Sequence, residues 1–450
     1  MSTPKPIEPT ASPVAEPAHP KINGSATALP GSTTAPAREF DTILIATGSS
    51  AFRGKVCGLT LAERGIRVAK KSGTTRIHVV SVPEQADKLP GWIDPSRDLL
   101  ILNVSTQVVH FPLVEAVRGG GARVAITPEG DYAGAIWVPA AEALAVATQL
   151  AGKQREPGRA DTPVDMMGRQ NALDVADAEL ARQWRESRHA TEHVHGPIAR
   201  HRAVSSSERE AATKMLFQLI HKPDQDGFLS KYLFRPIAYP ITRAFLPTPI
   251  TPNGVTAIVA VLALGGCIIV AGASYWAGVI GTMLQHVAGY FDCTDGEIAR
   301  LRHEGSKFGQ WFDTLTDEAT TVGCLAGVGI HVYQRHPDWQ WLIGPSIPIG
   351  LVGSFISLYV IYYYLIKVAR SGNSQDYPVK KGGKLEVFAQ LLHRDFIGLA
   401  VFIMAIFNIL EVAYIGLCLG GIVSGLVLIP EHLQLRKDLA SGKVVPKPIS

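Results

Sequence analysis

Between residues 253 and 430 the chain is strongly apolar and offers six candidate membrane-spanning stretches, and this limits its fold more than any other feature. A helix needs about 20 apolar residues to traverse the hydrocarbon, and it satisfies every backbone group there without water. The stretches are 253–272, 274–294, 308–332, 341–366, 395–412 and 413–430. They explain why only 18% of the 450 residues are charged, below the ~25% usual in soluble proteins.

The cations orient these spans, because loops rich in Lys and Arg stay on the cytoplasmic side. With the N-terminal region in the cytoplasm, the loops on that side hold Arg300, Arg302 and Lys307, then Lys367, Arg370, Lys380, Lys381, Lys384 and Arg394, and finally Arg436, Lys437 and Lys443. The opposite side has a turn at 272–274, a 333–340 loop with Arg335, and a turn near Glu411. Both termini are therefore expected inside, with residues 436–450 as a cytoplasmic tail. The formal net charge of +4 is too mild to suggest a nucleic-acid partner. Cys57, Cys267, Cys293, Cys324 and Cys418 lie far apart with no C-x-x-C, which argues against a disulfide framework or a zinc site.

The N-terminal half has a different grammar. Residues 1–40 are rich in Pro, Ala, Ser and Thr and lack the apolar core of a signal peptide, so a disordered tail is expected. Asp41–Gly48, Arg76–Val82, Asp98–Ser105 and Ala122–Pro128 are short β-branched apolar runs bounded by polar, Gly or Pro residues, as buried parallel strands are. Val56–Lys71 between the first two reads as a helix with Leu59, Leu61, Ile66 and Val68 on one face and cations at its end. Residues 41–154 are thus expected to form an α/β domain. Residues 155–227 read as a charged helical linker, with a capping box at Ser207-x-x-Glu210. Its His189, His193, His195 and His201 fit a solvated face better than a metal site. Residues 228–247 mix aromatics with Lys231, Arg235 and Arg243, which suits a segment lying at the membrane surface. The expected fold is an α-helical polytopic membrane domain (six transmembrane helices, within 228–435) preceded by a soluble α/β domain.

The chemistry concentrates in DCTDGEIARLRHEGSKFGQWFDTLTD, residues 292–317. Asp292 and Asp295 are three apart and share a helix face; Asp313 and Asp317 are four apart and share another. Antiparallel neighbours joined by a short loop would bring the pairs together near the cytoplasmic surface. An Asp at mid-membrane costs ~3 kcal/mol, and like charges add repulsion, so a cation must compensate. All-oxygen ligands favour Mg2+, Mn2+ or Ca2+ over zinc. Two such ions can clamp a phosphate during in-line displacement. Against this stands the bland reading of four acids at solvated helix ends, where the macrodipole favours an acid such as Asp313. Gly296, Ala299 and Gly309 would keep a low wall beside the acids, and Arg300 could pair with a carboxylate or a diphosphate.

This pattern resembles the signature of the CDP-alcohol phosphotransferase family, D-x-x-D-G-x-x-A-R, eight residues, then G-x-x-x-D-x-x-x-D. Asp292, Asp295, Gly296, Ala299, Arg300, Gly309, Asp313 and Asp317 all fall in place, and Thr251–Asn253 matches a TPN run that opens the first span in many members. The resemblance covers about residues 225–435. It implies two Mg2+ or Mn2+ ions held by Asp292, Asp295, Asp313 and Asp317, with Asp317 also the general base. The acceptor hydroxyl would attack the β-phosphorus of a CDP-alcohol and CMP would leave. Gly296, Ala299 and Gly309, with Thr294 and Asn253 as neighbours, would line the nucleotide pocket. The resemblance further implies a homodimer in a bacterial inner membrane, acting in phospholipid or inositol phosphodiester synthesis. Glycerol phosphate or serine are alternative acceptors. A cation transporter is the rival from another class, although transport acids usually sit near the midplane.

Lys380 and Arg394 could recognise a phosphorylated acceptor, or simply supply positive-inside charge. The soluble domain resembles, loosely, the nucleotidyltransferase half of bifunctional proteins that make CDP-inositol and then di-inositol phosphate phosphate. The stretch Ile45–Lys55 keeps Gly48 and Arg53 of that family's loop but lacks its second glycine. Asn103 and Ser105 stand where such enzymes carry aspartate. The implied domain is degenerate and no longer transfers nucleotides.

Overall fold

A computed structural model describes residues 39–119, 121–127, 130–152, 178–183, 186, 191–194, 199–220, 229–372, 377 and 394–446. The first unit is a six-stranded mixed sheet. Its strands are β1 (Phe40–Ile45), β2 (Ile77–Val80), β3 (Asp98–Asn103), β4 (Ala122–Ile126), β5 (Tyr132–Val138) and β6 (Thr191–Val194), in the order β2-β1-β3-β5-β4-β6. Strand β1 runs parallel to β2 and β3, whereas β5 runs antiparallel to both β3 and β4. The period-2 alternation of the apolar runs divides them between two cores. Leu44, Leu100 and Leu102 face one side, and Ile43, Ile45, Leu99 and Ile101 the other. Helix α1 (Leu61–Lys71) covers the first face, starting at a Thr60–Glu63 capping box and ending on Lys70 and Lys71. Helix α2 (Ala140–Gly152) covers the second.

Several expectations shift. Leu59 belongs to a short hairpin, Lys55–Val56 with Leu59–Thr60, and not to α1. Strand β5 adds to the four expected runs; its buried Ala135–Val138 segment is itself a short apolar run between Gly134 and Pro139. The stretch 155–227 is not a purely helical linker. It supplies β6 and a further strand, Arg200–Arg202, paired with Gln107–Val109, before helix α3 (Ser206–Ile220). The capping box lies two residues earlier than expected. Glu208 accepts from the Val204 and Ser205 amides, and its own amide donates to Ser205 Oγ. His189 and His195 lie outside the described residues, and His201 is bonded to the Arg202 carbonyl.

The remaining helices are α4 (Arg235–Phe245), α5 (Pro252–Val270), α6 (Tyr275–Arg302), α7 (Lys307–Arg335), α8 (Gln340–Tyr364), α9 (Arg394–Ile406) and α10 (Leu410–Ala440). Thr251, Ser274 and Ser306 cap α5, α6 and α7 by accepting the amides of Gly254, Ala277 and Gly309. Among the described residues three helical segments are long and apolar enough to span a membrane: Pro252–Val270, Pro337–Ala369 and Leu410–Ala440. Helices α6 and α7 have the length but not the sustained apolar character of that class, and α9 is short. The break between the last two helices falls at 407–409, around Asn408 with its left-handed φ of 58°, instead of at 412–413. Helix α10 then runs to Ala440, into the stretch expected as a tail.

Apolar side chains face outward along the bundle; Val261 and Ile268 are 74% and 76% exposed. In a soluble protein such a belt would aggregate, whereas lipid accepts it. Between helices small residues allow close approach. A Cβ on Gly353 would lie 2.5 Å from the Gly421 carbonyl oxygen, and one on Gly281 would lie 2.7 Å from that of Gly266.

Candidate metal centre

The acids lie inside their helices. Helix α6 continues seven residues past Asp295, and Asp313 is the seventh residue of α7. The macrodipole acts within the first turn of a helix, so it does not account for Asp313. A second difference concerns packing. Helices α6 and α7 touch each other little; α5 packs along both and forms the back wall between them. Glycines make that possible, since Gly266 and Gly281 bring α5 against α6, and Gly327 meets the Cys267 carbonyl of α5 from α7.

Across this cleft one carboxylate oxygen each from Asp292, Asp295 and Asp313 lies within 4.8 Å of the others. Asp295 is buried, and its Oδ2 accepts a 2.6 Å hydrogen bond from Thr256 Oγ1 of α5. Asp292 and Asp313 are partly exposed, so the group opens toward solvent. Three like charges at this range repel strongly at the reduced dielectric of a helix bundle. Hard oxygen donors converging in this way suit a divalent cation of the Mg2+ or Mn2+ type. Asp317, one turn beyond Asp313, is outside the group of three, but its charge acts on Asp295.

Around the acids, Arg300 folds back over Gly296. A Cβ there would stand 3.1 Å from its Nη1. A Cβ on Gly309 would stand 2.7 Å from Asn253 Oδ1, so the first residues of α5 and α7 meet at this glycine. Ala299 is partly exposed on the same helix. Thr294 is fully buried, and its hydroxyl donates to the Tyr290 carbonyl within α6. Lys380 lies outside the described residues, and Arg394 opens α9.

No sequence pattern singles out Thr256 or Glu297, and Arg302 reads only as one of the cytoplasmic-side cations. Glu297 is 1% exposed, accepts from Thr242 at 2.6 Å, and pairs with Arg235 at 3.2 Å, which ties α4 to α6. Its place beside Gly296 in a charged run looked like one more solvated acid. At the C-terminal edge of the sheet, Thr47 Oγ1 and its amide both donate to Ser105 Oγ, and the Ser105 amide donates to Asn103 Oδ1. The loops after β1 and β3 therefore meet through hydroxyl and amide groups, where a metal-dependent nucleotide site would need carboxylates.

Residues 249–423 match the family model described as CDP-alcohol phosphatidyltransferase. The chain is similar to the bifunctional IPC transferase and DIPP synthase of Aquifex aeolicus (strain VF5), 28% identical over 150 residues, 33% of each chain. It is also similar to the phosphatidylinositol phosphate synthase of Corynebacterium glutamicum, 27% identical over 126 residues, 28% of this chain and 55% of that one. The matches thus span a third and about half of these relatives.

Proposed function

From the premise that residues 249–423 carry a CDP-alcohol phosphatidyltransferase domain, we propose that the chain transfers a substituted phosphate from a CDP-alcohol to an acceptor alcohol, releasing CMP. The observation that carries this reading is the convergence of Asp292, Asp295 and Asp313 oxygens within 4.8 Å, on two helices that hardly touch. These three residues would hold a divalent metal, Mg2+ or Mn2+, with Asp317 joining for a second ion, and the bound metal would supply positive charge to the diphosphate and to the leaving CMP.

The remaining roles belong to side chains. Asp317 takes the proton from the acceptor hydroxyl. As that oxygen bonds to the β-phosphorus, the bond from this phosphorus to the oxygen bridging the two phosphates breaks, and the bridging oxygen leaves with its electron pair as part of the CMP phosphate. Gly296, Ala299 and Gly309 form a low wall for the nucleotide, with Asn253 at its rim, and Arg300 steadies the diphosphate. Inositol phosphate is the acceptor class favoured by the names of both relatives. Lys380 and Arg394 are candidates to bind its phosphate. The six helices α5–α10 cross the membrane, with the acidic end and the α/β domain on the cytoplasmic side and the chain paired as a homodimer. The α/β domain does not itself transfer nucleotides.

The test is direct. Purified protein with Mg2+ is incubated with a panel of CDP-alcohols and acceptors, and CMP is measured for each pair. Metal-dependent CMP release with an inositol phosphate acceptor is expected. No CMP from any pair would overturn the assignment.

A further inference from the structure

The junction between the α/β domain and the end of α6 has no part in the reaction just described, yet a full positive charge is buried there. Arg64 of α1 is 1% exposed. Its Nη1 donates to the Leu301 carbonyl at 2.8 Å and its Nη2 to the Val56 carbonyl at 3.1 Å. Arg67, nearly one turn on, donates from Nη1 to the Arg302 carbonyl at 2.8 Å and to Glu304 Oε1 at 2.6 Å. Leu301 and Arg302 form the last turn of α6, whose carbonyls have no partner within the helix and carry the negative end of its dipole. Two cations of the soluble domain thus cap a membrane helix.

The grip extends further. Arg302 donates from Nη1 to the Ile250 carbonyl at 2.7 Å, and from Nη2 to the carbonyls of Leu246 at 2.5 Å and Thr248 at 2.7 Å. That loop leads into α5, whose Thr256 holds Asp295. Gly58, with φ at +80°, presses against the same loop; a Cβ there would lie 2.1 Å from the Leu246 carbonyl oxygen. Val56, Leu61, Leu216 and Phe217 share one apolar core with Leu246, Val255, Ile298 and Leu301. A domain merely tethered to a membrane enzyme needs none of this. Because α6 and α7 touch little, the spacing of their acids is set through α5, which packs along both, and the junction holds the start of α5 and the end of α6 together.

We propose that the α/β domain is a fixed part of the catalytic scaffold, with Arg64 the positioning residue that holds the end of α6, and through Arg302 the entry to α5, in the register where Asp292 and Asp295 meet Asp313. The proposal rests on reading those acids as a metal centre.

The test uses the full chain in lipid nanodiscs, comparing Arg64→Met, Arg64→Lys and Arg67→Gln with the natural sequence. Amide hydrogen exchange is followed at residues 298–306, and Mn2+ affinity by electron paramagnetic resonance. Arg64→Met speeds exchange in 298–306 by about 10-fold or more while α8 and α10 stay protected, and weakens Mn2+ binding by roughly 10-fold. Arg64→Lys recovers part of both. Native exchange and native Mn2+ affinity in a folded Arg64→Met protein overturn the proposal. If that variant does not fold, Arg67→Gln decides: faster exchange at 298–306 upholds the brace, and no change overturns it. A natural-sequence protein that binds Mn2+ but releases no CMP sinks the transferase reading alone; an unaltered α6 end sinks the brace alone.

Discussion

The soluble domain and the helical bundle both bury charge, and they do so in opposite ways. At the junction, the Arg64 guanidinium donates to two carbonyl oxygens of the fold itself, those of Val56 and of Leu301 at the end of α6. In the bundle, Asp292, Asp295 and Asp313 are brought toward one another, so the fold concentrates like charge instead of dispersing it. A buried charge satisfied by backbone oxygens is a structural joint. A set of like charges, one buried and two partly exposed, held together against repulsion is poised for a cation from outside. That difference separates the part of this protein that braces from the part that reacts.

The comparison breaks most visibly at the acids. Asp317→Asn is expected to lower CMP release by ~10²–10⁴-fold, the usual worth of a general base, while CDP-alcohol binding by calorimetry stays near the natural value. Equal loss of binding would remove Asp317 from the base role. Asp292→Asn should instead weaken divalent-metal binding itself, and an unchanged metal titration would strike it from the ligand set.

On the bracing side, Gly58→Ala forces a side chain into a left-handed position and onto the Leu246 carbonyl. A loss of roughly 2–4 kcal/mol is expected for such a backbone clash, read as a lower melting temperature. A native melting curve would mean that the junction yields easily.

The junction should also be acid-sensitive. The rings of His110 and His303 face each other at 5.1 Å. Burial, aided for both by the cations Arg64 and Lys71 and for His303 also by its neighbours His110 and Arg67, pushes each imidazole down to about 3. The unfolded chain takes up these protons near pH 6.5, the folded one only near 3. Their contribution is therefore complete above pH 6.5 and declines as pH falls toward 3. On the order of 2 kcal/mol for each ring should be gone by pH 5, measurable by denaturant unfolding, and His303→Gln should roughly halve that slope.

The smallest expected effect tests whether Asp295 needs its hydroxyl partner. Thr256→Val keeps shape and removes the 2.6 Å hydrogen bond. Metal affinity should fall by about 10-fold, as when a ligand's supporting bond is lost. An unchanged Mn2+ titration would show that α5 supplies only packing.

Local chemistry made much of this legible in the chain. Twenty-residue apolar runs predict membrane helices because hydrocarbon cannot satisfy a backbone, and helices lie where α5, α6, α7, α8 and α10 were expected. Asp292 and Asp295 share a face because α-helical spacing requires it, and the strands β1 to β4 follow from short β-branched apolar runs bounded by polar, Gly or Pro residues. What no local pattern carries is which distant groups meet. Strand β5 has an apolar run of its own, but only packing places it antiparallel between β3 and β4. The capping box sits at Ser205 and Glu208 because several Ser and Glu in a row offer more than one register. Helix α5 stands between the acid-bearing helices because glycines on all three admit it there, and Thr256 finds Asp295 only as a result. Arg64 reads as a solvated helix cation until the end of α6, 237 residues away, supplies the oxygen that lets it be buried. Backbone and solvent requirements act along the chain and can be read from it, whereas the pairing of charges across the fold is settled only when the helices and the sheet have packed.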